Sequence, residues 1–213
     1  MIRFARLSSV FSLVVLTASS VASAQPFEGV VNLRMSGRSG SPPMDAEYLS
    51  RNGNARVNIP SSVGTMSILG IATESKTYML MESQRVYREM PSGDAATASS
   101  AAGEMKVTKT GRHETIAGLS CEHVILESSG TSNLHKIDMC VTRGLGPFVM
   151  PTTAGGVSDW QRQVSKDGGF PLKVTLGDGT VALEVTKIEK KRVSDELFRI
   201  PADYTKMEMP RRP

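Results

Sequence analysis

The sequence predicts a mainly β fold: a curled antiparallel sheet or incomplete barrel with one or two short covering helices. Three observations carry this expectation. Side-chain character alternates with period two through most of the chain, the pattern of strands with one face buried. Clusters of Gly, Asn, Asp and Ser punctuate the alternating stretches. About ten such stretches follow one another over short links, which favours consecutive hairpins over the crossovers that a parallel sheet needs.

The chain opens on a segment that is not part of this sheet. MIRFARLSSVFSLVVLTASSVASA carries cationic Arg3 and Arg6, an apolar run centred on Val10 to Leu16, and the small-residue site Ala22-Ser23-Ala24. These are the three parts of a cleavable secretory signal peptide, with cleavage after Ala24. The apolar run is far shorter than the roughly 20 residues that span a membrane. Residue 25 is Gln and not Cys, so no lipid attachment is expected there. Residues 25 to 213 are expected to form a single soluble domain in the periplasm or outside the cell, long enough to bury a substantial core. Losing Arg3 and Arg6 lowers the net charge from +4 to +2, so no general attraction to nucleic acid is expected.

Strands are then expected near Phe27 to Met35, Met44 to Ser50, Ala55 to Ile59, Met66 to Ala72, Thr77 to Glu82 and Arg85 to Met90. In the first of these, Phe27, Val31, Leu33 and Met35 share a face. The stretch from residue 92 to 104 is small and polar, and is read as a mobile loop. Strands resume near Met105 to Thr110, His113 to Ala117, Cys121 to Glu127 and His135 to Val141. Asn52-Gly53-Asn54, Ser128-Ser129-Gly130 and Gly177-Asp178-Gly179 supply turns that tolerate positive φ. Between Gly155 and Gly169, Ser158-Asp159-Trp160-Gln161 has the form of a capping box, with Ser158 as cap and Gln161 reaching back. A short helix is expected there, with Trp160 and Val164 on one face. Leu172 to Leu176 and Val181 to Ile188 complete the set.

Cys121 and Cys140 are the only cysteines. An even count in an exported chain favours a disulfide. Placing Cys121 opposite Cys140 sets His123 across from Asp138, Ile125 across from Lys136, Val124 across from Ile137 and Glu122 across from Met139. The loop so closed contributes about 3 kcal/mol in the chain-entropy model.

Catalytic signatures are absent. Gly37-Arg38-Ser39-Gly40 lacks the G-x-S-x-G pattern, and His113-Glu114-Thr115-Ile116-Ala117 lacks the second His of a zinc-protease helix. No phosphate-cradling loop occurs, since Gly144-Leu145-Gly146 runs into Pro147. Carboxylates such as Glu28, Glu47 and Glu74 are scattered. No enzyme activity and no cofactor are assigned. The imidazoles of His113 and His123 and the thioethers of Met79-Leu80-Met81 and Met207-Glu208-Met209 suit Cu(I). Methionine is equally a filler of irregular apolar space, so no metal is assigned.

The run Val63 to Ala72 is apolar on both of its alternating faces, so it is either buried on both sides or lines a groove. Tyr78 and Leu80 on the next segment extend the groove reading. Met66, Ile68, Tyr78, Leu80 and Trp160 are the expected lining residues.

The run His113-Glu114-Thr115-Ile116-Ala117-Gly118-Leu119-Ser120-Cys121-Glu122-His123-Val124 and the later Asp195-Glu196-Leu197-Phe198-Arg199-Ile200-Pro201-Ala202-Asp203-Tyr204 resemble an exported bacterial family known only as a domain of unknown function. The resemblance covers most of residues 27 to 209 and brings no catalytic residues with it. In general shape that family is similar to the periplasmic lipoprotein carriers LolA and LolB, a curved antiparallel sheet around an apolar cavity. The resemblance implies a non-catalytic binding protein for a lipid, an acylated protein or another apolar ligand in the concave side of the sheet. The alternative is an envelope structural or protein-interaction module whose core is filled by its own side chains.

Overall fold

A computed structural model describes residues 26–36, 42–90, 105–128, 136–149, 164 and 168–207. The expected leader, the stretch 92 to 104, and Ser158, Trp160 and Gln161 lie outside the described residues. Of the expected covering helix only Val164 is described, buried in the main core.

Twelve strands form one curled, unclosed sheet: β1 Gly29–Met35, β2 Met44–Arg51, β3 Asn54–Ser61, β4 Gly64–Ile71, β5 Lys76–Met81, β6 Val86–Glu89, β7 Met105–Ile116, β8 Leu119–Ser128, β9 Lys136–Arg143, β10 Gly169–Leu176, β11 Val181–Lys190 and β12 Thr205–Lys206. The sheet order is β12-β6-β5-β4-β3-β2-β1-β11-β10-β9-β8-β7. Two antiparallel meanders, β1 to β6 and β7 to β11, are thus joined where β1 pairs with β11. This is the mainly β, curled and unclosed sheet that the alternation predicts. The described helical segments are short 3-10 turns at Ala72–Glu74, Glu82–Gln84 and Asp195–Phe198.

Local chemistry sets the hairpins. Asn52 and Gly53 take φ of 51° and 79°, the two consecutive positive values of a type I′ turn, between β2 and β3. The links from β4 to β5 and from β5 to β6 instead end in left-handed Ser75 and Arg85, each closing a 3-10 turn by a main-chain bond. No glycine marks either link. The two stretches expected around Met105 and His113 are one strand, β7, with a register shift between Lys109 and His113 where the ladder to β8 is interrupted.

Register then distributes the side chains. Val31, Tyr48, Val57, Ile68 and Met79 follow one another across β1 to β5 and face the main core. The adjacent row, Val30, Leu49, Arg56, Leu69 and Tyr78, faces the other way. There Val30, Leu49, Leu69, Tyr78 and Leu80 meet Val193 and Phe198, with Ile200 and Tyr204 packed alongside. The C-terminal segment from Val193 to Tyr204 is therefore a strap across the outer face. Its end, β12, adds to β6 in parallel, through Thr205 N to Arg85 O at 2.9 Å and Met207 N to Tyr87 O at 2.8 Å. The strap explains why the central part of β4 is apolar on both faces: Ile68 enters the inner core and Leu69 the outer one.

The strap is fixed by polar groups as well. Arg56, 8% exposed, donates to Leu197 O at 3.0 Å, Ser67 Oγ at 3.1 Å, Asn58 Oδ1 at 2.9 Å and the carboxylate of Glu82. Tyr204 donates its hydroxyl to the same carboxylate. At the other end Arg51 pairs with Asp195 at 2.9 Å, and Glu28 accepts from Val193 N at 2.9 Å.

The inner face of the β1–β2 region is filled by the chain itself. Leu145 and Phe148 belong to the main core, and Tyr48 donates to Pro147 O at 2.7 Å. Phe170 stands edge-on to both Tyr48 and Phe148, with centroids 4.9 and 5.3 Å apart. Gly146, at φ +91°, permits this approach; a Cβ there would lie 2.4 Å from Ser50 Oγ.

Candidate functional site

Two places gather chemistry. The first is a cleft of about 330 Å³ on the β7–β9 end of the sheet. Among the described residues its apolar floor is Val107, Val124, Leu126, Val141 and Val164. Alternation along β7 and β8 places Val107, Lys109, Val124 and Leu126 on one face, since Val107 pairs with Leu126 and Lys109 with Val124. That face is the inner one: Val124 pairs with Met139, and Met139 and Leu126 lie in the main core. Lys109, His113, Glu122 and Arg143 bring charge and polarity to the same cleft. The arrangement offers an apolar surface bordered by Lys109 and Arg143 with the Glu122 carboxylate among them, a mixed polar rim that suits an amphipathic ligand.

The five expected lining residues are not brought together. Met66 and Ile68 face the main core, Ile68 within it and Met66 half-buried against it. Tyr78 and Leu80 face the opposite side and are covered by the strap. The reason is register: Ser67 pairs with Leu80 and Ile68 with Met79, so Met79, not Leu80, is the neighbour of Ile68 on its face. Trp160 lies outside the described residues. The cleft residues on β7 and β8 escaped notice because their alternation is diluted by Lys109, Ser120 and Glu122. The usable signal is the parity of the Cys121 to Glu127 strand, whose inward set is Val124 and Leu126.

The second place surrounds the disulfide. Cys121 and Cys140 are bonded, with Cα atoms 5.2 Å apart. The register of the hairpin is two residues away from the one expected: His123 pairs with Cys140, Val124 with Met139, Ile125 with Asp138 and Leu126 with Ile137. The described ladder between β8 and β9 begins at Glu122, so Cys121 sits one residue beyond it and leans across to Cys140. A disulfide needs only suitable Cα separation, not directly opposed residues. Because the slip is an even number, every side chain keeps its expected face.

His123, 9% exposed, lies between two carboxylates. Its Nδ1 is 2.7 Å from Asp138 Oδ1 and its Nε2 is 3.2 Å from Glu114 Oε2. Arg112 reaches Nδ1 at 2.8 Å and also donates to Asp138. Lys173 Nζ is 3.4 Å from Glu114 Oε1. The expected polar pairing of His123 with Asp138 is thus present, as a diagonal contact within a larger ionic cluster. One ligand atom each from Glu114, His123 and Cys140 lie within 4.8 Å of one another. In the bonded state the sulfur of Cys140 is not a thiolate, so the set is two ligands short of a thiolate metal site.

Among the described residues no helix is long and apolar enough to cross a membrane. No curated protein sequence matches this chain. The crystal structure of an uncharacterized conserved protein from Thermus thermophilus is similar at 12% identity and a TM-score of 0.49, over 87% of this chain and 91% of that one. The family model described as a domain of unknown function, DUF4412, matches residues 27–204, and the chain belongs to that family.

Proposed function

We propose that this chain is an exported, non-catalytic binding protein that holds a lipid, or the acyl chain of a lipoprotein, in the cleft between β7 and β9. The observation that carries the reading is the chemistry of that cleft. Val107, Val124, Leu126 and Val141 make a floor for hydrocarbon, and Lys109 stands beside it to meet an anionic headgroup. The disulfide and the leader suit an oxidising compartment, where such a carrier works. The reading is one of binding, since no nucleophile or phosphate-loop motif in the sequence signals catalysis. This reading moves the seat of the ligand from the β4–β5 patch to the cleft, because Ile68 and Leu80 lie on opposite faces of the sheet.

The test is uptake of a fluorescent fatty acid by the mature protein. Binding should saturate at one ligand per chain, and Val124→Trp, which fills the cleft, should weaken it at least about 10-fold, the loss of roughly 1.4 kcal/mol. Equal uptake by the variant would contradict the assignment.

A second reading has its own observation. Tyr48, Phe148 and Phe170, with Leu145, already fill the inner face over β1 and β2. A concavity filled by its own side chains is what an envelope interaction module would have. Absence of any fatty-acid uptake by the unaltered protein would favour this second reading.

A further inference from the structure

The cluster beside the disulfide, whose Cys121 also lines the cleft, carries an assignment of its own. We propose that reduction of the Cys121–Cys140 bond turns this cluster into a site for Zn²⁺ or a similar thiophilic divalent cation, with Cys121, Cys140, His123 and Glu114 as its four ligands.

The geometry supplies most of the site in advance. A ligand atom each from Cys140, His123 and Glu114 are within 4.8 Å of one another. Zinc bonds of about 2.0 to 2.3 Å require tetrahedral ligand atoms on the order of 3.5 Å apart, so small side-chain adjustments close the set. Cys121 provides the fourth ligand from the neighbouring strand, its Cα 5.2 Å from that of Cys140. Both cysteines and His123 are buried, which keeps competing water away.

The surrounding groups are those a metal-binding histidine uses. Asp138 sits 2.7 Å from Nδ1, where a carboxylate fixes the ring and raises the basicity of the other nitrogen. Nε2 faces Glu114 Oε2 at 3.2 Å, so with the ring proton on Nδ1 the two atoms can meet one ion between them. Lys173 engages only Oε1 of Glu114, leaving Oε2 for the ion. Two thiolates and one carboxylate around a divalent cation leave a single negative charge, and Lys173 stands next to it to balance it.

The electrons and protons balance through a dithiol reductant. It supplies two electrons and two protons and leaves as its own disulfide, while Cys121 and Cys140 become thiols. Metal binding then expels both thiol protons to solvent. The disulfide and the metal are mutually exclusive, so the site responds to redox state.

The test uses Co²⁺ as the spectroscopic probe on the mature protein, oxidised or reduced and then freed of reductant under inert gas. The expected result is one equivalent of Co²⁺ per reduced chain. It should show a thiolate-to-cobalt charge-transfer band and the intense visible bands of a tetrahedral ion, all displaced by Zn²⁺, with neither band in the oxidised chain. His123→Ala should weaken the affinity at least about 10-fold, and Asp138→Asn by about 10- to 100-fold. Cys121→Ser cannot form the disulfide and retains Cys140, His123 and Glu114, so it should show a weaker thiolate band without any reductant. No band in either the reduced chain or Cys121→Ser overturns the proposal. An affinity unchanged in His123→Ala overturns it too, since the thiols alone would then be the ligands. Should reduction unfold the chain, Co²⁺ should restore its β circular dichroism; failure to do so, with Cys121→Ser silent, overturns the proposal as well.

Discussion

The hydroxyl of Tyr48 donates a 2.7 Å hydrogen bond to the main-chain carbonyl of Pro147, tying β2 to the segment that crosses the inner face of the sheet. Burial pushes the phenol's pKa upward, so the group stays a donor throughout the working pH range. Tyr48→Phe keeps the ring against Phe170 and strands the carbonyl. The expected cost is about 1 to 3 kcal/mol, read as a lower urea midpoint with an unchanged slope.

The strap depends on a charge held out of water. Glu82 accepts from Arg56, Ser67 and Tyr204, and Ser67 is fully buried. Glu82→Ala leaves the Arg56 guanidinium buried without its carboxylate, a loss of about 3 kcal/mol. Amide exchange from Val193 to Tyr204 should accelerate more than exchange in β1 or β11, since those strands make no contact with this carboxylate. Uniform acceleration would place the network's role elsewhere.

Two phenols make stability sensitive to alkali. Burial and the bond to Glu82 push Tyr204 up to about 12, and the bond to Glu74, with burial, does the same for Tyr78. Both values are raised above the ordinary 10, so their contribution is intact below pH about 10 and is lost as pH rises through about 12. Phenolate absorbance should show both titrating late. Tyr204→Phe should flatten the loss of stability in that window.

The disulfide closes a separation of 19 residues, and its removal should cost about 3 kcal/mol. A paired Cys121→Ala and Cys140→Ala variant measured by thermal unfolding checks this in the absence of metal. A mass increase on reduction and alkylation, at both cysteines together, checks the bond itself.

Much of this architecture is legible in the sequence, because period two and turn residues are local properties. Eleven strands overlap the alternating stretches from Phe27 to Ile188, and Asn52-Gly53 forms the turn its residues demand. What escaped is non-local. The strap has no element assigned to it from the sequence, since Val193, Phe198 and Tyr204 gain meaning only when β4 and β5 lie beneath them. The two-residue register slip at Cys121 depends on where the β8–β9 ladder begins, which strand spacing does not specify. The same holds for the site: Ile68 and Leu80 look equivalent along the chain, and pairing with β5 sends them to opposite faces.

The cleft makes an electrostatic prediction of its own. Lys109 borders the apolar floor. Lys109→Glu should weaken a fatty acid but spare the corresponding neutral alcohol, and the difference should shrink as salt rises. An equal effect on both would leave Lys109 outside the headgroup site.

Lipid carriage is read most directly by native mass spectrometry of the protein purified from its own cells, followed by organic extraction. A stoichiometric lipid or acyl species is expected in the wild type and none in Val124→Trp. A ligand-free wild type that also takes up no offered phospholipid or acylated peptide would contradict lipid carriage.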